Sequence, residues 1–147
     1  MQHRWLLASA VTVTSLSLVV WAAGPAGDAA LGAHPYESFE PNSVCADCHT
    51  GLVRQYEQSL MHQSFTHPWD EIEYFELALP HSLKVEKVAG VKACCNGCHA
   101  PLAFLAGDIP PKRPAEGTRA NEGVSCDLCQ SIVGFEGEVP YNFNFIV

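Results

Sequence analysis

"CNGCHAPLAFLAGD", Cys95–Asp108, is the stretch whose reading decides the fold. Two thiols stand three positions apart, and a histidine follows the second directly. On a helix, residues at i, i+3 and i+4 share a face, so Cys95, Cys98 and His99 are expected to point the same way. Two thiols so placed can both form thioethers with the vinyl groups of one haem. The adjacent imidazole then lies under the ring and ligates the iron. A second such stretch, "CADCH", runs from Cys45 to His49, 50 residues earlier by first cysteine (95 − 45). A third thiol pair, Cys126 and Cys129 in "EGVSCDLCQ", is followed by Gln130 instead of histidine.

The chain has seven cysteines, of which these pairs use six and leave Cys94 over. Two other chemistries compete for them. Cys45, Cys48, Cys126 and Cys129 could supply four thiolates to a zinc ribbon. The pairs could also be disulfides with Cys94 as the odd thiol. Neither needs a histidine directly after a pair, and covalent haem does. Haem c on two full motifs, with a third site in question, is the preferred reading.

Working outward to the N-terminus, Arg4 precedes an uncharged, mostly apolar run over residues 5–23, and mostly small residues follow from Ala22 to Ala33. That order is the order of a secretory signal peptide. The run approaches the length of a membrane span, so an uncleaved anchor is the alternative. Its five Ser and Thr residues and its small-residue flank favour cleavage. The expected organisation is a signal peptide over 1–33 and one domain over 34–147, exported to the periplasm or beyond. No membrane span is expected after cleavage. Thioether attachment follows export, which agrees with the leader. The net charge of −8 argues against nucleic acid as a partner and suits partners with basic patches.

The domain has no long helical stripe and no confident strand. Asn42 or Ser43 reads as a cap for a helix through the first thiol pair. "GLVRQYEQSLMHQSF", 51–65, reads as a helix with Leu52, Tyr56 and Leu60 on one face. "PWDEIEYFELAL" is expected to start at Pro68 and to stop before Pro80. "GDIPPKRPAEGT", 107–118, reads as loop. A small chain of this kind needs a staple beyond its own core, and the fold class expected is mainly α with extensive loops.

"CADCH" followed by "YEQSLMH" (Tyr56–His62), then "CNGCHAPLAFLAGD", then "EGVSCDLCQSI" (Glu122–Ile132) resembles the multihaem cytochromes c related to cytochrome c554. In those proteins a C-x-x-C-H-A-P run with a following G-D, and a G-V-S-C-D-x-C-H run, recur in that order. The resemblance covers about Ser43 to Ile132. It implies a helix-and-loop fold wrapped around closely packed, often bis-histidine haems, transferring electrons between redox partner proteins. It also implies a longer chain with further haem motifs, so the domain reads as C-terminally incomplete, and the apolar ending "YNFNFIV" agrees.

A second axial histidine is expected at each iron. His62 ranks first, because "YEQSLMH" matches the family stretch carrying a distal ligand. His81 in "LPHSL" ranks second, ahead of His67 and His34. Met61 is read as core. Trp69, Phe65, Phe75 and Phe104 are expected to pack on haem. Cys94 reads as a buried thiol, and Asp70, Glu71 and Glu73 as a solvated helix face.

The family pattern puts histidine at position 130, and a glutamine amide is a far poorer ligand for haem iron than imidazole. A haem on Cys126 and Cys129 would lack its usual ligand or take one from elsewhere. Otherwise the pair stays free or forms a disulfide, or the motif is a remnant. The functional expectation is an electron carrier, not an enzyme. The alternative is a haem enzyme acting on small nitrogen or oxygen species at an open third iron.

Overall fold

The computed structural model describes residues 30–140 and 144–147. The expected leader therefore lies almost wholly outside the described residues. The expected fold class holds: the structure is mainly helical, with short helices joined by turns and loops.

Helix α1, Asn42–Ala46, carries the first cysteine, and α2, Thr50–Tyr56, follows it. The expected side-chain cap on α1 is not there. The Asn42 amide is used in tertiary contacts instead. The helix expected over 51–65 ends at Tyr56, and only a 3-10 turn, His62–Ser64, forms beyond it. Side chains and distant partners compete with the helical bonds there. Ser59 Oγ accepts from His62 N at 3.3 Å, and Met61 O accepts from Val124 N at 3.0 Å. Leu52 and Leu60 are consequently 65% and 76% exposed, not a buried stripe.

Helix α3, Pro68–Glu71, starts at the predicted proline, with His67 Nδ1 accepting from Trp69 N at 3.3 Å. It does not stop before Pro80. It passes into a π-helical segment, Ile72–Ala78, and on into α4, Leu79–Lys84. The wider π turn, bonded i to i+5, relieves the carbonyl clash that a proline ring meets in an α-helix.

Helix α5, Val91–His99, holds the whole second motif, and α6, Pro101–Ala106, turns directly from it. Pro101 sits at the first turn of α6, where its missing N–H costs no bond. Gly107 closes α6 in the left-handed region at φ 72°. Gly107 N donates to Phe104 O at 3.1 Å and Asp108 N to Ala103 O at 2.9 Å, a Schellman closure. Asp108 Oδ2 then accepts from the Tyr36 hydroxyl at 2.9 Å. The A-P and G-D of the opening stretch thus start one helix, stop it and anchor it. Helix α7, Cys126–Ser131, carries the third thiol pair. A strand pair the sequence did not signal, β1 Gly134–Phe135 with antiparallel β2 Phe145–Ile146, closes the described chain.

The core is two small clusters. Phe65, Tyr74, Phe75, Ala100, Ala103 and Ala120 form one; Phe39, Leu102 and Leu128 form the other, and Tyr36 packs against both. Phe65, Phe75 and Phe104 are all buried by protein. Arg113 lies over the Phe75 ring, 4.7 Å from its centroid, and pairs with Glu76 at 2.6 Å. No helix among the described residues is long and apolar enough to cross a membrane.

The segment Gly123–Ser125 lies directly on the turn at Met61–Ser64. Gly123 has φ +58°, and a Cβ there would fall 2.5 Å from the His62 carbonyl oxygen and closer still to that of Met61. Gly123→Ala is expected to cost about 1–3 kcal/mol, the usual magnitude for a strained backbone position; denaturant unfolding checks it. Burial pushes the Tyr74 hydroxyl up to about 12, with Cys95 and Cys94 adding to the rise and Asn96 opposing it. Its proton is donated to Lys92 O at 2.7 Å. Unfolded phenols titrate near 10, so the unfolded chain loses this proton first. Stability is expected to fall as pH rises from about 10 to about 12, and Tyr74→Phe to flatten that fall in melts across the range.

Candidate cofactor sites

Cys95, Cys98 and His99 lie at the C-terminal end of α5, as the helical spacing requires. The His99 ring is held from outside its helix. Its Nδ1 lies 2.8 Å from Ser64 O and 2.8 Å from Asp70 Oδ1. The Ser64 hydroxyl has two carbonyl acceptors for its one proton, His99 O at 2.8 Å and Met61 O at 2.9 Å. One serine therefore grips both the backbone and the ring of His99. With Nδ1 engaged, the ring is left with Nε2 for a metal. That is the usual arrangement of a metal-binding histidine, whose second nitrogen donates to a carbonyl or carboxylate. Burial raises the Cys95 thiol above its ordinary value, and Cys94 and Cys98 add to the rise.

The expectation of a solvated face at Asp70, Glu71 and Glu73 holds for exposed Glu73 and is corrected for Asp70 and Glu71. Asp70 meets His99. Glu71 lies 3.5 Å from Arg113. Glu73 lines a cavity of about 120 Å³ together with Asp70, Phe65, Tyr74, Cys95 and His99. Nothing local in the sequence marks Asp70, which stands 29 positions from His99 (99 − 70). Cys94 is likewise not buried: its thiol is exposed and points back to Val91 O at 3.8 Å.

The first and third motifs are docked at their helix N-termini. Buried Asn42 makes three tertiary bonds: Oδ1 accepts from Cys126 N at 3.0 Å, Nδ2 donates to the Tyr56 hydroxyl at 3.3 Å, and N donates to Glu122 Oε2 at 3.2 Å. Glu40 N donates to Asp127 Oδ2 at 2.8 Å. Ser125, fully buried, caps α7 by accepting from Leu128 N at 3.3 Å. Burial raises the Cys126 thiol, with neighbouring Cys45 and then Cys129 adding to it. Burial alone raises Cys129. Gln130 is exposed at the end of α7. The first motif closes one turn, His49 N donating to Cys45 O at 2.9 Å.

Between α5–α6 and α7 lies an apolar slot of about 250 Å³. Cys98 and Cys129, the second cysteine of each motif, both line it, with Phe104, Leu128 and Val147 among the wall residues.

The histidines differ. His62 packs edge-on to Tyr56 at 5.0 Å between centroids, and its Nδ1 is buried with no hydrogen-bond partner. This nitrogen is left without a partner by the protein itself, which is compatible with a ligand role. His81 is exposed on α4. His67 is the cap of α3, and His34 packs on Phe39 at 6.2 Å. Trp69 is 69% exposed. Among the described residues no three His, Cys, Asp or Glu side chains gather as a zinc ion requires. No disulfide joins any of the seven cysteines. The donor set fits haem c: paired thiols one helical turn apart, an oriented imidazole, and a half-buried imidazole whose Nδ1 has no hydrogen-bond partner.

A family model described as cytochrome c554 and c-prime matches residues 44–131. The chain belongs to this family. It is therefore a c-type cytochrome with covalently bound haem c, a class that transfers electrons. Comparison with curated proteins and with solved structures gives no match. The matched span begins just before the first motif of this cytochrome and ends with α7, so it takes in all three thiol pairs.

Asn42→Ala is expected to leave the half-buried Cys126 N–H without its acceptor and to remove the donor to the Tyr56 hydroxyl, costing about 1–3 kcal/mol. Denaturant midpoints of variant and parent check this.

Proposed function

We propose that this cytochrome is an exported multihaem carrier passing electrons between redox partner proteins. In this reading residues 1–33 are a signal peptide and 34–147 the cytochrome domain. Cys45, Cys48 and His49 hold one haem, and Cys95, Cys98 and His99 a second. Cys126 and Cys129 offer a third attachment point. The observation that carries the reading is His99, fixed on α5 beside its two cysteines with Nδ1 already engaged. Haem c supplies a one-electron iron couple whose potential the protein sets through axial ligands, burial and nearby charge.

The chain's own residues do the rest. Ser64 and Asp70 hold the His99 ring, so little rearrangement accompanies a change of charge beside it. Phe65 and Tyr74 wall its cavity against water. His62 is the first choice for a second axial ligand, supported by its buried, unpartnered Nδ1. His81, exposed on α4, is the second choice. The shared slot between Cys98 and Cys129 supports close approach of groups on the second and third motifs, which suits electron transfer between them. Exposed Leu52, Leu60, Met61 and Trp69 offer apolar cover to ring faces.

One observation favours a second reading. Gln130 brings no imidazole to the third site, so a haem there would have an open position for a small nitrogen or oxygen species. A haem enzyme would show a high-spin optical band that shifts with carbon monoxide; a carrier would show a low-spin spectrum indifferent to it.

The decisive measurement is the intact mass of the protein exported from a host with c-haem maturation machinery. Two haems are expected on every molecule, with a third in less than full amount. Gln130→His is expected to bring the third to full occupancy. Absence of haem overturns the reading, and an unchanged mass for Gln130→His overturns the role given to position 130.

A further inference from the structure

We infer that Asp70 is a positioning residue that lowers the reduction potential of the haem held by His99. The inference rests on the assignment of Cys95, Cys98 and His99 proposed above. It goes beyond that assignment by giving the two haems different potentials and naming the residue responsible.

The His99 Nδ1 proton has two acceptors at equal distance. Asp70 Oδ1 and Ser64 O both lie 2.8 Å away. The carbonyl alone would fix the tautomer. The carboxylate adds charge, and a charge-assisted hydrogen bond is about twice as strong as a neutral one. A carboxylate drawing on Nδ1–H raises the basicity of the ring and strengthens donation from Nε2. Stronger donation favours the oxidised iron over the reduced one, so the potential falls.

Asp70 is placed to keep this contact. It sits in the first turn of α3, which Pro68 starts and His67 caps. Its side chain is 24% exposed, shielded enough to act, whereas the His99 side chain is 48% exposed. His49, the corresponding residue of the first motif, has no side-chain hydrogen bond or ion pair among the described residues. The asymmetry between the motifs is therefore the Ser64 carbonyl and the Asp70 carboxylate at His99 Nδ1, and of these only the carboxylate brings a charge. It gives electron flow a direction, from the His99 haem toward the His49 haem.

The test is spectroelectrochemical titration of the haem-loaded protein and three variants. Haem on the peptide carrying Cys95 and Cys98 is first verified by mass. Asp70→Asn is expected to shift one haem about tenfold toward the reduced state at fixed potential, about 59 mV upward for one electron, and to leave the other haem unmoved. Asp70→Glu, which keeps a carboxylate within reach, returns the potential to near the parent value. Glu73→Gln removes the same charge from the same cavity without touching His99, and is expected to give less than a quarter of the shift. Equal shifts for Asp70→Asn and Glu73→Gln would show a through-space charge effect and overturn the inference. An unmoved potential in Asp70→Asn overturns it too. Absence of haem from the Cys95–Cys98 peptide overturns instead the site assignment beneath it.

Discussion

The backbone from Met61 to Ser64 is gripped from two sides, and the arrangement of the motifs depends on that grip. On one side Val124 N donates to Met61 O, with Gly123 lying so close that no side chain fits between. On the other, Ser64 bonds both the backbone and the ring of His99. This short turn therefore fixes the third thiol pair relative to the second. It also carries His62. A helix through the segment, as local propensity favours, would take these carbonyls for its own i to i+4 bonds and release both neighbours.

A second junction joins the first motif to the third. Asn42 meets the N-terminus of α7, the Tyr56 hydroxyl and the Glu122 carboxylate. The Tyr56 hydroxyl in turn has two carbonyl acceptors for its one proton, Glu122 O at 2.5 Å and Val124 O at 3.0 Å. These polar contacts join the motifs where apolar clusters are small. The two apolar clusters bury few large side chains, and Leu60, Leu83 and Val133 stay 76%, 67% and 80% exposed. Such a framework suits a protein whose remaining apolar cover comes from its cofactor.

The family pattern gains a physical account at this level. In A-P-L-A-F-L-A-G-D, Pro101 opens α6, Gly107 closes it and Asp108 anchors Tyr36. In G-V-S-C-D, Gly123 permits the close approach, Val124 bonds Met61, Ser125 caps α7 and Asp127 holds the backbone of Glu40. Each position answers a backbone demand, and this is independent of whether histidine or glutamine follows the last cysteine. The fold around the third pair is thus intact where its chemistry departs from the pattern.

The sequence by itself determined the cofactor class, the three thiol pairs and the mainly helical character. These follow from spacing along one turn, from composition and from turn residues, all of them local. It also placed the start of α3 at Pro68. Only the tertiary structure decided the rest. It ended α2 at Tyr56, carried the Pro68 helix past Pro80, exposed Cys94 and set Asn42 to docking instead of capping. It moved Asp70 from a solvated face to the ring of His99. Asn42, Met61 and Asp70 meet partners dozens of residues away, and hydrogen bonds formed across such distances leave no period and no spacing for a sequence to show.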